Sequence, residues 1–99
     1  MAGSQSEVAV VLVEVVISNK LGLHARAAAK FVQISMNYES EIWLTKGSNR
    51  VNGKSIMGIL TLAAARGERL TIEVNGPDEE EASRALRDLV LAGFGENGK

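Results

Sequence analysis

Hydrophobic and polar residues repeat with two different periods along this chain, and the switches between them predict its helices and strands. Alternation at every second residue, with many valines and isoleucines, predicts strands. These strands lie over 8–18, 41–46, 50–52 and 68–75, with a hairpin turn at 47–49. Apolar residues three and four positions apart predict helices. The helices lie over 25–36, over 56–65, and from Pro77 to the residue before Gly93.

The ends of the second and third helices carry local signals. Ser55 is the predicted N-cap of the second helix, and Gly67 is its predicted C-terminal cap. Pro77 is predicted to take the first position of the third helix, where its missing N–H costs nothing. Gly93 is predicted to stop that helix.

The order of the elements predicts an α+β fold of two layers, with helices on one face of a sheet and the other face open. A length of 99 residues suits a single domain, 1–99. We expect the folded core to cover about 12–94 and the ends, 1–7 and 95–99, to be flexible. Trp43 is predicted to lie on the open face and to pack across strands.

Composition argues against several classes of function. The chain has no cysteine and one histidine, so we expect no disulfide, no metal and no other cofactor. Eleven basic and twelve acidic residues give a formal net charge of −1, and aromatic residues are few, so nucleic acid is not an expected partner. The longest apolar run, 8–13, is too short to cross a membrane, and no signal peptide is evident. We therefore expect a cytoplasmic protein without a membrane partner.

The single histidine, His24, lies where the first strand gives way to the first helix, in the segment 21–26 (LGLHAR). Backbone N–H groups and the helix dipole make such a helix N-terminus an anion site. One interpretation is a histidine that only caps the helix. The other is a nucleophilic imidazole that accepts a phosphoryl group. Two features favour it: Leu21 and Leu23 can anchor the turn, and Arg26 can reach a phosphate with two hydrogen bonds.

The chemistry of His24 depends on its charge state. An imidazole is nucleophilic only when neutral, and the positive helix end and Arg26 disfavour the imidazolium ion near neutral pH. The same positive groups would stabilise a phosphorylated His24. Arg26 taken alone has a second interpretation, as a solvated surface charge.

The second helix presents a possible docking surface. One apolar stripe suffices for its contact with the core, which leaves Ile56, Met57 and Leu60 on another side. An exposed apolar cluster of this kind indicates a surface for a protein partner. The alternative is that the helix is wedged between its neighbours and buried on both sides. The residues alone leave these two interpretations open.

Two segments of this chain, taken together, resemble the histidine phosphocarrier protein (HPr) family of the bacterial phosphoenolpyruvate-dependent phosphotransferase system. Segment 21–26 (LGLHAR) resembles the active-site loop of the family, and 51–58 (VNGKSIMG) resembles its regulatory serine segment. Segment 76–82 (GPDEEEA) is a weaker third match, and the resemblance covers roughly 12–94. One departure is Ala27, where the family usually has a proline whose ring fixes φ.

The resemblance implies an antiparallel sheet in the order 1-4-2-3 with three helices on one face. It implies that His24 takes a phosphoryl group from phosphorylated enzyme I on Nδ1 and passes it to an enzyme IIA-type domain. Arg26 would stabilise the phosphohistidine, and Ser55 would be the target of an HPr kinase/phosphorylase. The chain would then be a monomeric phosphoryl carrier rather than an enzyme with turnover of its own.

Two other functions remain open at this stage. The first is a regulatory paralogue, in a nitrogen-type or carbon-signalling phosphorelay, that acts by phosphorylation-dependent binding without sugar transport. The intact segment around Ser55 favours a carbon-linked or kinase-regulated protein over the nitrogen-type version. The second is a ligand-binding α+β module, which would require a closed apolar pocket that no sequence feature indicates.

Overall fold

Four strands and three α-helices alternate along the part of the chain that the computed structural model describes, residues 10–96. The predicted strand residues 8 and 9 and the ends 1–7 and 97–99 lie outside the described residues. The strands are β1 (Val11–Val16), β2 (Glu41–Lys46), β3 (Asn49–Asn52) and β4 (Arg69–Asn75). The helices are α1 (Ala25–Ser35), α2 (Ile56–Thr61), α3 (Glu79–Leu91) and a short 3-10 helix at Gly93–Gly95.

The four strands form one antiparallel sheet in the order β1-β4-β2-β3. The central strand β4 lies between β1 and β2, so that Ile72 is opposite both Val13 and Leu44. This is the order 1-4-2-3 that the resemblance implied. The α+β prediction of one covered and one open sheet face is confirmed.

The core lies between one face of the sheet and the three helices. Alternating strand residues face it, as the period of two predicted. Its buried apolar residues from the strands are Val15, Ile42, Leu44, Leu70, Ile72 and Val74, and those from the α-helices are Ala27, Ala28, Phe31, Ile59, Ala82, Leu86 and Val90. On the open face Trp43 is half-buried, and the Arg50 guanidinium lies 4.0 Å from the centre of its ring. Arg50 also donates to Glu73 at 3.0 Å, so the tryptophan is covered by a cross-strand ion pair.

The end of α2 differs from the prediction, because the helix stops at Thr61 rather than at residue 65. Ala63 has φ of +49°, a left-handed conformation that an α-helix cannot continue through. The Lys46 ammonium donates to the carbonyls of Leu62 at 3.0 Å and of Ala63 at 3.3 Å, which satisfies carbonyls at the helix end. Gly67 is therefore no helix cap. Its N–H instead donates to a carbonyl in the segment after β1.

Two local predictions also need correction. Asn49 belongs to β3 and lies opposite Lys46, so the hairpin turn has two central residues, 47 and 48, rather than three. Pro77 precedes Asp78, which is the N-cap residue of α3, and so lies outside the helix. The predicted stop of α3 at Gly93, which has φ of +64°, is confirmed.

The Asp78 carboxylate joins the start of α3 to the loop before β2. It accepts the Ser40 hydroxyl at 2.5 Å, the Glu39 N–H at 2.9 Å and the Ser40 N–H at 3.0 Å. These hydrogen bonds, with that of the Ser40 hydroxyl the strongest, hold the pKa of Asp78 below its ordinary value.

Gly22 is the glycine that the loop before α1 requires most strictly. It has φ of +68°, and a Cβ at this position would lie 2.5 Å from the Ala64 carbonyl oxygen.

We expect Gly22→Ala to lower the free energy of unfolding in urea by about 2–4 kcal/mol, from backbone strain and steric overlap together. The control is Gly47→Ala, at φ of +61° with no atom within 4 Å. It should cost only about 1 kcal/mol. Equal losses at the two sites would show that the close approach to Ala64 is not what requires glycine.

Candidate functional site

His24 is the N-cap residue of α1, with an extended backbone at φ −77° and ψ 179°. Its ring Nδ1 accepts the Arg26 N–H at 3.3 Å, and its carbonyl accepts the Ala28 N–H at 2.9 Å to close the first helical turn. The side chain is 26% exposed, so the ring can be reached from solvent. The structure thus places a ring nitrogen at the positive end of a helix dipole, as the sequence predicted.

Two buried residues, Leu23 and Asn19, hold the loop that carries His24. Leu23 is buried, and its N–H donates to the Ala64 carbonyl at 2.9 Å. Asn19 is also buried, and its Nδ2 donates to the Gly22 carbonyl at 2.8 Å. Leu21 is 69% exposed, so the expectation that it helps to anchor the turn is wrong, and only Leu23 does so.

The second ring nitrogen of His24 meets a carboxylate that the sequence analysis missed. Nε2 contacts Oε2 of Glu96, and the other carboxylate oxygen, Oε1, accepts the Asn19 amide at 3.0 Å. The Asn19 amide, the His24 ring and the charge of Lys30 hold the pKa of Glu96 below its ordinary value, although partial burial raises it. Glu96 is therefore a carboxylate at neutral pH.

The segment before Glu96 is anchored by a buried aromatic ring. Phe94 is fully buried at φ of +57°, and its carbonyl accepts the Lys30 ammonium at 2.7 Å. A single phenylalanine among glycines near the end of the chain was the available signal that this segment packs on the domain. The sequence argument about His24 counted only positive groups and did not include the Glu96 carboxylate, which contacts Nε2.

Arg26 is exposed in the first turn of α1, beside His24. A surface depression there is lined by Leu21, Arg26, Lys30, Gly95 and Glu96. Arg26 and Lys30 bring positive charge to this lining and Glu96 brings negative charge, so the depression is of mixed sign. Within it, the exposed Arg26 guanidinium is the group that can contact a phosphoryl group next to His24.

Ala27, where the resembled family usually has proline, is fully buried within α1. The helix begins at Ala25 without the fixed φ of a proline ring. Alanine keeps the backbone N–H that proline lacks, so all three N–H groups of the first three helical positions are present. The helix N-terminus thus keeps its full set of donors beside His24.

Ser55 is the N-cap of α2, as predicted, and its Oγ accepts the Gly58 N–H at 3.0 Å. The side chain cluster that follows is only partly covered. Ile56 is 40% and Met57 73% exposed, whereas Leu60 is half-buried against the core. The interpretation in which both sides of α2 are buried therefore does not hold for Ile56 and Met57.

Two negative findings concern the described residues alone. Within 10–96, no group of three histidine, cysteine, aspartate or glutamate side chains is placed to hold a metal ion. In the same part of the chain, no helix has the length and apolar character needed to cross a membrane.

Comparison with known proteins assigns this chain to a family. The family model described as "PTS HPr component phosphorylation site" matches residues 11–91. The phosphocarrier protein HPr of Neisseria meningitidis is 58% identical over 80 residues, covering 81% of this chain and 90% of that protein. The phosphocarrier protein NPr of Klebsiella oxytoca is 43% identical over 82 residues, covering 82% and 91%. The crystal structure of HPr from Thermoanaerobacter tengcongensis superposes with a TM-score of 0.83 at 48% identity, covering 86% and 96%. The chain therefore belongs to the HPr family of phosphocarrier proteins of the bacterial phosphotransferase system.

Proposed function

We propose that this chain accepts a phosphoryl group from phosphorylated enzyme I on Nδ1 of His24 and passes it to an enzyme IIA-type domain. The observation that carries the proposal is the position of His24 as N-cap of α1, with Nδ1 turned toward the helix start. Action as a monomer is part of this proposal. The cytoplasm, where enzyme I and its phosphoenolpyruvate are found, is the proposed location.

The acceptance step follows from the groups around Nδ1. The Nδ1 lone pair attacks the phosphorus atom, and the bond between phosphorus and the donor breaks as the new N–P bond forms. The hydrogen bond from the Arg26 N–H to Nδ1 is long at 3.3 Å, so little binding energy is lost when that N–H donates to a phosphoryl oxygen instead. The Arg26 guanidinium and the α1 dipole stabilise the negative charge that arrives.

Ser55 is proposed as a regulatory phosphorylation site, and Ile56, Met57 and Leu60 as part of the surface that docks enzyme I. An HPr kinase/phosphorylase is the proposed partner for Ser55. The exposure of Met57 supports the docking role, because methionine side chains adapt to more than one partner surface.

A second candidate function is a regulatory phosphorelay without sugar transport. The observation that favours this second function is the 43% identity to the phosphocarrier protein NPr of Klebsiella oxytoca. In this case His24 would still be phosphorylated, but the acceptor would be a regulator rather than a sugar-transport domain. Two transfer assays separate these functions. One uses a purified enzyme IIA domain of sugar transport as the acceptor of the phosphoryl group, and the other uses a purified regulatory enzyme IIA domain.

We expect His24→Ala to abolish phosphorylation by enzyme I and phosphoenolpyruvate, measured as intact mass, because His24 is the sole histidine. The adduct on the wild-type chain should be lost in acid, as a phosphoramidate is. The variant should remain folded, since the N-cap bond of His24 is long and its loss should cost about 1 kcal/mol or less. Undiminished labelling of His24→Ala would contradict the proposal.

Met57→Ala should weaken binding to enzyme I about fivefold or more, because it removes apolar surface from the centre of the proposed docking cluster. Its stability should change by less than about 0.5 kcal/mol, as usual for an exposed site. Met36→Ala is a matched control, since Met36 is 64% exposed at the far end of α1. Isothermal titration with enzyme I compares the two. Equal affinities for both variants would remove Met57 from the interface.

Ser55→Asp should slow phosphorylation of His24 at least about tenfold, because it adds a charge inside the surface that must lose water against enzyme I. It should melt near the wild-type temperature, because aspartate is a good N-cap and suits the helix dipole. Ser48→Asp, in the exposed hairpin turn, controls for net charge. The measurement is the initial rate of His24 phosphorylation by enzyme I in the wild type and in the two variants. Normal transfer by protein carrying a confirmed phosphate on Ser55 would refute the regulatory role.

A further inference from the structure

Two successive contacts hold Nε2 of His24, the ring nitrogen that faces away from α1. Glu96 contacts Nε2 through Oε2, and the buried Asn19 donates to Oε1 of the same carboxylate. Glu96 is 72 residues away from His24 in the chain, and the buried Phe94 holds its segment in place. Both carboxylate oxygens are thus engaged, and the carboxylate is fixed in position.

The orientation of Asn19 determines the direction of these contacts. Its Nδ2 donates both to Glu96 and to the Gly22 carbonyl, whereas its Oδ1 has no hydrogen-bond partner. A flipped amide would place Oδ1 against two acceptor oxygens, so the amide orientation follows from its neighbours. Asn19 is therefore a donor, and Glu96 is an acceptor at both oxygens.

The location of the proton on the neutral His24 ring follows from these roles. A carboxylate accepts only, so the hydrogen between Glu96 and the ring belongs to Nε2. On the other side the Arg26 N–H points at Nδ1, which must then carry the lone pair. Two independent contacts select the same tautomer, and that tautomer has Nδ1 free to act as a nucleophile.

We propose that Glu96 is a positioning residue that keeps the ring proton of His24 on Nε2 and so directs the phosphoryl group to Nδ1. This inference rests on the proposed function of His24 as acceptor. When Nδ1 forms its bond to phosphorus and the donor leaves with the electron pair, the proton stays on Nε2 and the ring becomes positive. The Glu96 carboxylate stabilises that positive ring, and in the onward step it keeps a protonated, better leaving group on the phosphorus.

Glu96→Gln is the sharpest substitution, because glutamine has the same shape but one acceptor and one donor end. The buried Asn19 claims the acceptor end, which turns the glutamine NH₂ toward Nε2. That NH₂ calls for a lone pair on Nε2 and places the ring proton on Nδ1, the nitrogen that must attack. Asp88→Asn is the matched control, since Asp88 is an exposed α3 carboxylate paired with Arg87.

The first measurement uses the ring alone. Nitrogen-15 NMR of His24 should show the proton on Nε2 in the wild type and in Asp88→Asn, and a shifted tautomer population in Glu96→Gln. Phosphorylation with the small donor phosphoramidate, followed by phosphorus-31 NMR, should favour Nδ1 less in Glu96→Gln than in the wild type. An unchanged tautomer and an unchanged phosphorylated nitrogen in a folded Glu96→Gln would overturn the proposal.

The second measurement uses enzyme I and phosphoenolpyruvate. The initial rate should fall about 10- to 100-fold in Glu96→Gln, the range for losing a charged hydrogen bond, and stay near wild type in Asp88→Asn. Equal melting temperatures exclude a loss of fold. If enzyme I fails to label the wild type while both ring measurements respond to Glu96→Gln, the proposed function fails and the role of Glu96 stands. If the wild type is labelled and the rate in Glu96→Gln is unchanged, the reverse holds.

Discussion

The packing of α1 against the sheet is the constraint on which the reactive end of the molecule depends. Phe31 and Ala28 are fully buried on the core side of this helix, which fixes its axis and therefore the direction of its N-terminal N–H groups. The chain must then turn sharply from β1 into the helix start. Gly22 supplies the left-handed residue for that turn, and Leu23 ties it to the Ala64 carbonyl. These requirements of packing place the backbone of His24, and the contacts with Arg26 and Glu96 then orient its ring.

The sequence predicted well the features that depend on local periodicity. The strand around Ile72 and the helix that carries Phe31 appear where alternation and helical spacing placed them. The end of α2 was mispredicted because its cause is not local. Lys46 lies 16 and 17 residues before the carbonyls that it binds, so no signal near residue 62 showed the helix stopping there. The buried Leu62 and Ala64 imitated a continuing helix.

The candidate site divides in the same way. His24 and Arg26 are neighbours in the chain, so a single segment was enough to predict that they meet at a helix start. Glu96 is 72 residues away from His24 in the chain but contacts the same ring, and its approach depends on the burial of Phe94. Such a contact becomes visible only when the fold brings residues 24 and 96 together. The local sequence therefore showed the positive half of the site and missed the negative half.

The balance of these two halves bears on how a carrier can both take and release a phosphoryl group. A cage of buried cations would hold a phosphorylated His24 too tightly for onward transfer. Instead, Arg26 is exposed, and an exposed charge pair contributes only about 0.2–1 kcal/mol. Lys30 is engaged by the Phe94 carbonyl, and Glu96 places a negative charge at Nε2 of the ring, in the lining of the same depression as Arg26. The helix start attracts the phosphoryl group while the carboxylate acts on the ring, so binding and release are governed by different contacts and neither has to be strong.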